Sequence, residues 1–150
     1  MLTKGSTSIM DNCMGYDFAT EITFMPNATD SRLFGKNAPK SVLKYLQEEP
    51  VTANFHNYCM RPENFTADLT LSNFYKILSI SEDLENKTFI STIESQKYPI
   101  FGVQWHPEKN GFEWRPNTTI PHSKNAVTVM QYMANFFTDQ GKFISLLFFQ

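Results

Sequence analysis

Apolar and polar positions along this chain alternate in short runs and recur at helical spacing in two segments. Residues 22–25 (Ile-Thr-Phe-Met) read as a short strand, closed by the turn formers Pro26-Asn-Ala-Thr-Asp-Ser31. Pro39 then opens a segment in which Val42, Leu43 and Leu46 share one helical face. That helix stops before Pro50, whose ring keeps the preceding residue out of the helical region. Val51 to Phe55 reads as the next strand, with His56 just beyond its end. Leu71 to Ile80 alternates imperfectly, Glu82 to Lys87 is a polar connection and Thr88 to Ile93 alternates again, which predicts an antiparallel hairpin. Tyr98 to Trp105 is almost continuously apolar, as in a strand covered on both faces. From Asn125 to Phe137, Ala126, Val129, Met130, Met133, Phe136 and Phe137 fall at helical spacing, so a helix is expected to pack on that strand. The pattern is α/β in a single domain over residues 1–150, with no internal repeat and no low-complexity linker.

Composition narrows the function classes. The 150 residues, 41% of them hydrophobic, suffice for one domain with a real core. A net charge of -2 with scattered Lys and Arg argues against nucleic acid as a partner, because such a surface needs clustered basic residues. No run approaches the roughly 18–20 apolar residues of a membrane span, and Phe143 to Phe149 is far too short. Residues 1–13 hold no apolar core of a signal peptide. Yet Asn27, Asn64, Asn86 and Asn117 each begin an Asn-x-Thr acceptor pattern, which leans toward the secretory pathway. Cys13 and Cys59 lack a Cys or His partner at ligand spacing, so no metal is expected. Both read as small buried side chains, with a bridge between them the lesser expectation.

The candidate chemistry lies in His106-Pro-Glu108. A histidine at the carboxyl end of a buried strand stands where α/β sheets build their sites. Glu108 can turn back and accept the proton of one imidazole nitrogen, leaving the other to take a proton from a nucleophile. Pro107 stiffens the turn. The residues alone leave two readings open, a catalytic pair and a surface histidine at a strand end.

Longer blocks carry a resemblance. Gly102-Val-Gln-Trp-His-Pro-Glu108 resembles the histidine block of class I glutamine amidotransferases. The runs Lys97 to Lys109, Phe112-Glu-Trp114, Ile120-Pro-His-Ser123 before Asn125-Ala-Val127, and Thr52-Ala-Asn-Phe-His56 resemble gamma-glutamyl hydrolases within that superfamily. So do Asp30-Ser-Arg-Leu-Phe34, Leu71-Ser-Asn-Phe74 and Phe89-Ile-Ser-Thr92, the whole running from about residue 17 to about 140. The resemblance implies a flavodoxin-like, three-layer α/β domain. It also implies hydrolysis of gamma-glutamyl bonds in folyl or antifolate poly-gamma-glutamates by a Cys-His-Glu mechanism without a cofactor. His106 matches the general acid/base, Glu108 its orienting carboxylate and His56 a histidine at the substrate cleft; His122 reads as structural. A lysosomal, vacuolar or extracellular glycoprotein is implied as well, with a homodimer as a candidate assembly.

The nucleophile is the weak point. The family's cysteine sits in a block resembling Gly-Thr-Cys-Leu-Gly-Phe-Glu, on an elbow at a helix N-terminus that favours the thiolate. Asp11-Asn-Cys-Met-Gly-Tyr-Asp17 imitates part of it and makes Cys13 a candidate nucleophile. Against this, only Ser8-Ile-Met10 precedes it as a strand, Asp11 replaces the first glycine, and little room follows for a helix. The favoured expectation places Cys13 on a strand downstream of a missing elbow. On that view the chain is an N-terminally truncated domain with a divergent tail at 141–150. The alternative function is then a catalytically inactive homologue acting as a binding or decoy module.

Overall fold

The computed structural model describes residues 9–148, with side chains through residue 142. Among the described residues the strands are β1 (Met10–Thr20), β2 (Thr23–Phe24), β3 (Thr52–Met60), β4 (Tyr75–Glu82), β5 (Thr88–Ser95) and β6 (Phe101–Val103). The helices are α1 (Lys40–Glu48), α2 (Pro62–Ala67), α3 (Leu69–Phe74), α4 (Lys109–Phe112) and α5 (Lys124–Phe148). One sheet is the antiparallel pair β1-β3; the other has the order β2-β4-β5-β6, also antiparallel throughout. The α/β class is as the sequence predicts.

The amphipathic helices cover one side. Val42 and Leu46 of α1 and Ala126 and Val129 of α5 are buried with Ile22, Leu33, Phe34, Leu78 and Trp105 in the main core. Phe136 of α5 meets Phe101 of β6 edge-on, so the expected helix does pack on the expected strand. Between the two sheets a smaller core gathers Cys13, Phe18, Cys59 and Phe89. Arg61, at the end of β3, closes this seam by donating to the carbonyls of Asn12, Lys87 and Thr88 and to Asp83 Oδ2, all at 3.0 Å. No helix among the described residues is long and apolar enough to cross a membrane.

Several boundaries moved for local reasons. The run from Leu71 begins as helix α3 because Asp68 caps it, accepting from Thr70 N at 2.9 Å and Leu71 N at 3.1 Å. The strand expected over 98–105 shrinks to Phe101–Val103. Pro99 brings no N–H, and the Ser95 N to Ile100 O bond folds the preceding residues into a turn that exposes Tyr98 and Ile100. Its residues are half-buried, not covered on both faces. α5 runs beyond Phe137 through the tail to Phe148; the last two residues of the tail, and residues 1–8 of the start, lie outside the described residues.

Candidate active site

The His106 turn is built from the end of β6. Gln104 N still donates to Ser91 O of β5 at 2.9 Å, and Trp105 is buried with its indole N–H 3.4 Å from Thr92 Oγ1. His106 N then donates to Ala53 O at 2.8 Å, which transfers the chain from β5 to β3. Glu108, in helical conformation at the entry to α4, swings back over this turn. Its Oε1 lies 2.7 Å from His106 Nδ1. An ionised Glu108 accepts the Nδ1 proton and leaves Nε2 with the free lone pair, the nitrogen a base must present.

The pair is open to solvent, with side chains 38% and 65% exposed. An exposed ion pair adds only about 0–1 kcal/mol to stability, so its value is orientation. Behind His106 stands the Phe55 ring, edge-on at 6.2 Å between centroids, with Tyr16 of β1 edge-on to Phe55 at 5.6 Å. Lys109 Nζ lies 5.0 Å from the Phe55 centroid and pairs with Glu113. That ammonium holds the Glu113 carboxyl below the usual range.

His56 was expected past the end of its strand and lies inside it, because β1 pairs with β3 as far as Met60. Strand alternation turns it away from Phe55, its neighbour in sequence. Its ring meets Phe89 edge-on at 5.1 Å and lies flat against the β1 backbone at Gly15, where a Cβ would come within 2.2 Å of imidazole Cε1. No hydrogen bond joins His56 to His106. Asn54 Nδ2 donates to Thr52 O at 3.0 Å, which leaves Asn54 Oδ1 to accept from His56 Nε2 at 3.2 Å. His56 Nδ1 is then a buried acceptor without a partner.

Burial, with the charge of His106, lowers the His56 pKa from 6.5 to about 4. The unfolded chain therefore binds a proton between those pH values that folded His56 refuses, and stability falls as pH is lowered through this window. The expected urea midpoint declines from pH 6.5 to 4, and His56→Gln flattens that decline. An equally steep profile in the variant would remove His56 as its source.

Cys13 requires a correction. It occupies the middle of β1, as the favoured expectation had it, but its sulfur is bonded to Cys59 of β3 rather than free. A disulfide sulfur is not a thiolate, so Cys13 is no nucleophile in this structure. Its neighbourhood is also wrong for one, since it is buried against Phe89 with Asp83 Oδ2 3.5 Å away, and a carboxylate opposes a second negative charge. Sequence missed the bridge because Cys13 and Cys59 are 46 residues apart and only the β1-β3 register brings them together. His122, expected to be structural, is held in the fold by two contacts: its Nδ1 donates to Asn110 O at 2.8 Å and its ring stacks on Trp114. The sequence assigns no role to Asn54, Phe55 or Asn110. The signal was adjacency to the histidines, since Asn54 precedes His56 by two residues and Asn110 follows Glu108 by two.

Comparison with known proteins fixes the family. The profile of the class-I glutamine amidotransferases matches residues 10–120, which include His56 and His106 but not His122. The chain belongs to that family. Within it, this class-I glutamine amidotransferase relative is 40% identical over 126 residues to the gamma-glutamyl hydrolase of Homo sapiens, covering 84% of the chain and 39% of that protein. It is 41% identical over 120 residues to the gamma-glutamyl hydrolase of Rattus norvegicus (80% and 37%). With gamma-glutamyl hydrolase 1 of Arabidopsis thaliana it shares 35% over 142 residues (95% and 40%). The chain thus spans about two fifths of the length of these curated relatives. Its mixed α/β architecture agrees with a partial domain of the flavodoxin-like fold expected for the amidotransferase family.

Proposed function

We propose that the chain carries the acid–base side of a gamma-glutamyl hydrolase site, acting on the gamma-linked amide bonds of folyl or antifolate poly-gamma-glutamates. The observation that carries this reading is the 2.7 Å contact of Glu108 Oε1 with His106 Nδ1. In the reaction His106 Nε2 takes the proton of a thiol, the resulting thiolate attacks the amide carbonyl, and His106 gives that proton to the departing amine. His106 then takes one from the water that opens the thioester, releasing the acid and the thiol. Glu108 holds the imidazole in the tautomer these transfers need, and His56 takes the place of the histidine at the substrate cleft, its ring held by Asn54 and Phe89. The thiol must come from a cysteine other than Cys13 and Cys59, which the disulfide occupies.

That disulfide also favours a second reading, a module that binds poly-gamma-glutamate without cleaving it. The two readings separate in one experiment. With the chain joined to a segment that supplies such a cysteine, glutamate is expected to be released from a poly-gamma-glutamate peptide, and His106→Ala to lower kcat by about 100- to 10,000-fold. Equal turnover by His106→Ala would end the first reading. No turnover, together with calorimetric binding of the peptide, is the result expected of the second.

A secretory, lysosomal or vacuolar destination fits the same proposal. Disulfides persist in oxidising compartments, and Asn27, Asn86 and Asn117 of the four acceptor patterns are exposed. Asn64 is half-buried and donates to Asp11 Oδ2 at 2.8 Å.

A further inference from the structure

The turn that holds His106 and Glu108 is fastened at two points, to β3 and to the residue just before it. At its start His106 N donates to Ala53 O; at its end Asn110 Nδ2 donates to Val51 O at 2.8 Å, two residues earlier along the same chain segment. Asn110 is fully buried, and Nδ2 also reaches Ala126 O of α5 at 3.2 Å. Its own carbonyl accepts from His122 Nδ1 at 2.8 Å, and His122 lies flat on Trp114, 3.8 Å between centroids at 9°. The next residue, Gly111, lets α4 sit directly on α5, since a Cβ there would fall 2.6 Å from Met130 Sδ. Asn110 Oδ1 is buried without a partner, a cost that stability alone gives no reason to bear.

We propose that Asn110, braced by the His122–Trp114 stack, is a positioning residue that sets the His106 imidazole against Glu108; the role rests on reading His106 as the acid–base group. Both side chains of that pair are exposed, and neither has another hydrogen-bonding partner among the described residues, so the distance between the anchors at Ala53 O and Val51 O decides whether Glu108 faces Nδ1. Without the Asn110 anchor, α4 is free to shift along α5 and the carboxylate leaves the ring. An unrestrained neutral imidazole favours the Nε2–H tautomer, whereas the Glu108 contact enforces Nδ1–H.

The test is the tautomer of His106 in the full chain, read from the 15N shifts of its ring nitrogens about two pH units above the ordinary histidine value. The expected wild-type spectrum is that of Nδ1–H. In Asn110→Ala and in His122→Leu the Nδ1–H to Nε2–H ratio is expected to fall at least roughly tenfold, the bias a charge-assisted hydrogen bond supplies. The amide spectrum serves as the control for folding, and should Asn110→Ala not fold, the half-buried His122→Leu decides. A folded variant that keeps the wild-type tautomer overturns the proposal, as does Nε2–H in the wild type. The measurement needs no turnover. Failure of the acid–base reading shows instead as undiminished hydrolysis by His106→Ala, so the two failures are distinguishable.

Discussion

Arg61→Ala is expected to lower the free energy of unfolding by about 3–5 kcal/mol, the cost of leaving a buried ionic partner alone. Arg61 and Asp83 are almost fully enclosed, with side chains 8% and 0% exposed and Nη2 3.0 Å from Oδ2. Truncation strands the carboxylate and also orphans the carbonyls of Asn12, Lys87 and Thr88, which lie on three different strands or their connections. A small domain has only about 5–15 kcal/mol in total, so this one change should remove a large part of it. Urea denaturation with an unchanged slope is the measurement. Adding Asp83→Asn should recover part of the loss, because no charge then remains buried and the amide oxygen still accepts from Glu85 N and Lys87 N, while the orphaned carbonyls keep a deficit of about 1–3 kcal/mol. A loss below about 1 kcal/mol in Arg61→Ala would mean that water replaces the guanidinium.

The same pair contributes to acid sensitivity. Burial raises the Asp83 pKa, but hydrogen bonds from Lys87 N, the Arg61 guanidinium and Glu85 N outweigh it and hold the carboxyl below its usual 3.8. Its stabilisation is present above that value and is lost as pH falls through the lower, folded one. His56 loses its contribution earlier, between 6.5 and about 4. Acid unfolding should therefore begin with the histidine and finish with the aspartate.

Removing the Cys13–Cys59 bridge, by reduction or by Cys13→Ala with Cys59→Ala, is expected to cost about 2–4 kcal/mol. The bridge closes a segment of 46 residues, and for a loop of that size chain entropy alone predicts about 4 kcal/mol, an upper figure because denatured chains keep some structure. β1 should respond most. Among the described residues it pairs with β3 alone, and its ladder is already interrupted between Asn12 and Gly15 and between Tyr16 and Phe18. Hydrogen exchange should show β1 amides losing protection before those of β4 and β5. Equal protection with and without the bridge would show that Arg61 and the Leu84 N to Met14 O bond suffice to hold the strand. Reduction alone is not expected to create a hydrolase, since the freed Cys13 stays buried beside Asp83.

Local patterns were legible where neighbours in sequence are neighbours in space. Helix α1 and the β4–β5 hairpin followed from spacing, and Asn86, at φ 59° in the hairpin turn, is a residue type that tolerates that conformation. The His106–Glu108 contact was legible for the same reason, because two positions separate the partners. The extent of β3 was not. Val51 to Phe55 carries the apolar signal, and the polar His56 and Asn57 that follow are strand only because β1 runs alongside.

By itself, then, the sequence determined the α/β class, the amphipathic faces of α1 and α5, the His-Pro-Glu turn and the family blocks around it. These depend on periods of two and 3.6 residues and on contacts across one turn. Only the tertiary structure decided that Cys13 is bonded to Cys59, that His56 faces Phe89 and Gly15, and that Asn110 reaches back to Val51. Each of these joins residues more than 30 positions apart. Their meeting depends on sheet register and on which helix covers which strand, quantities that no local window of the chain contains.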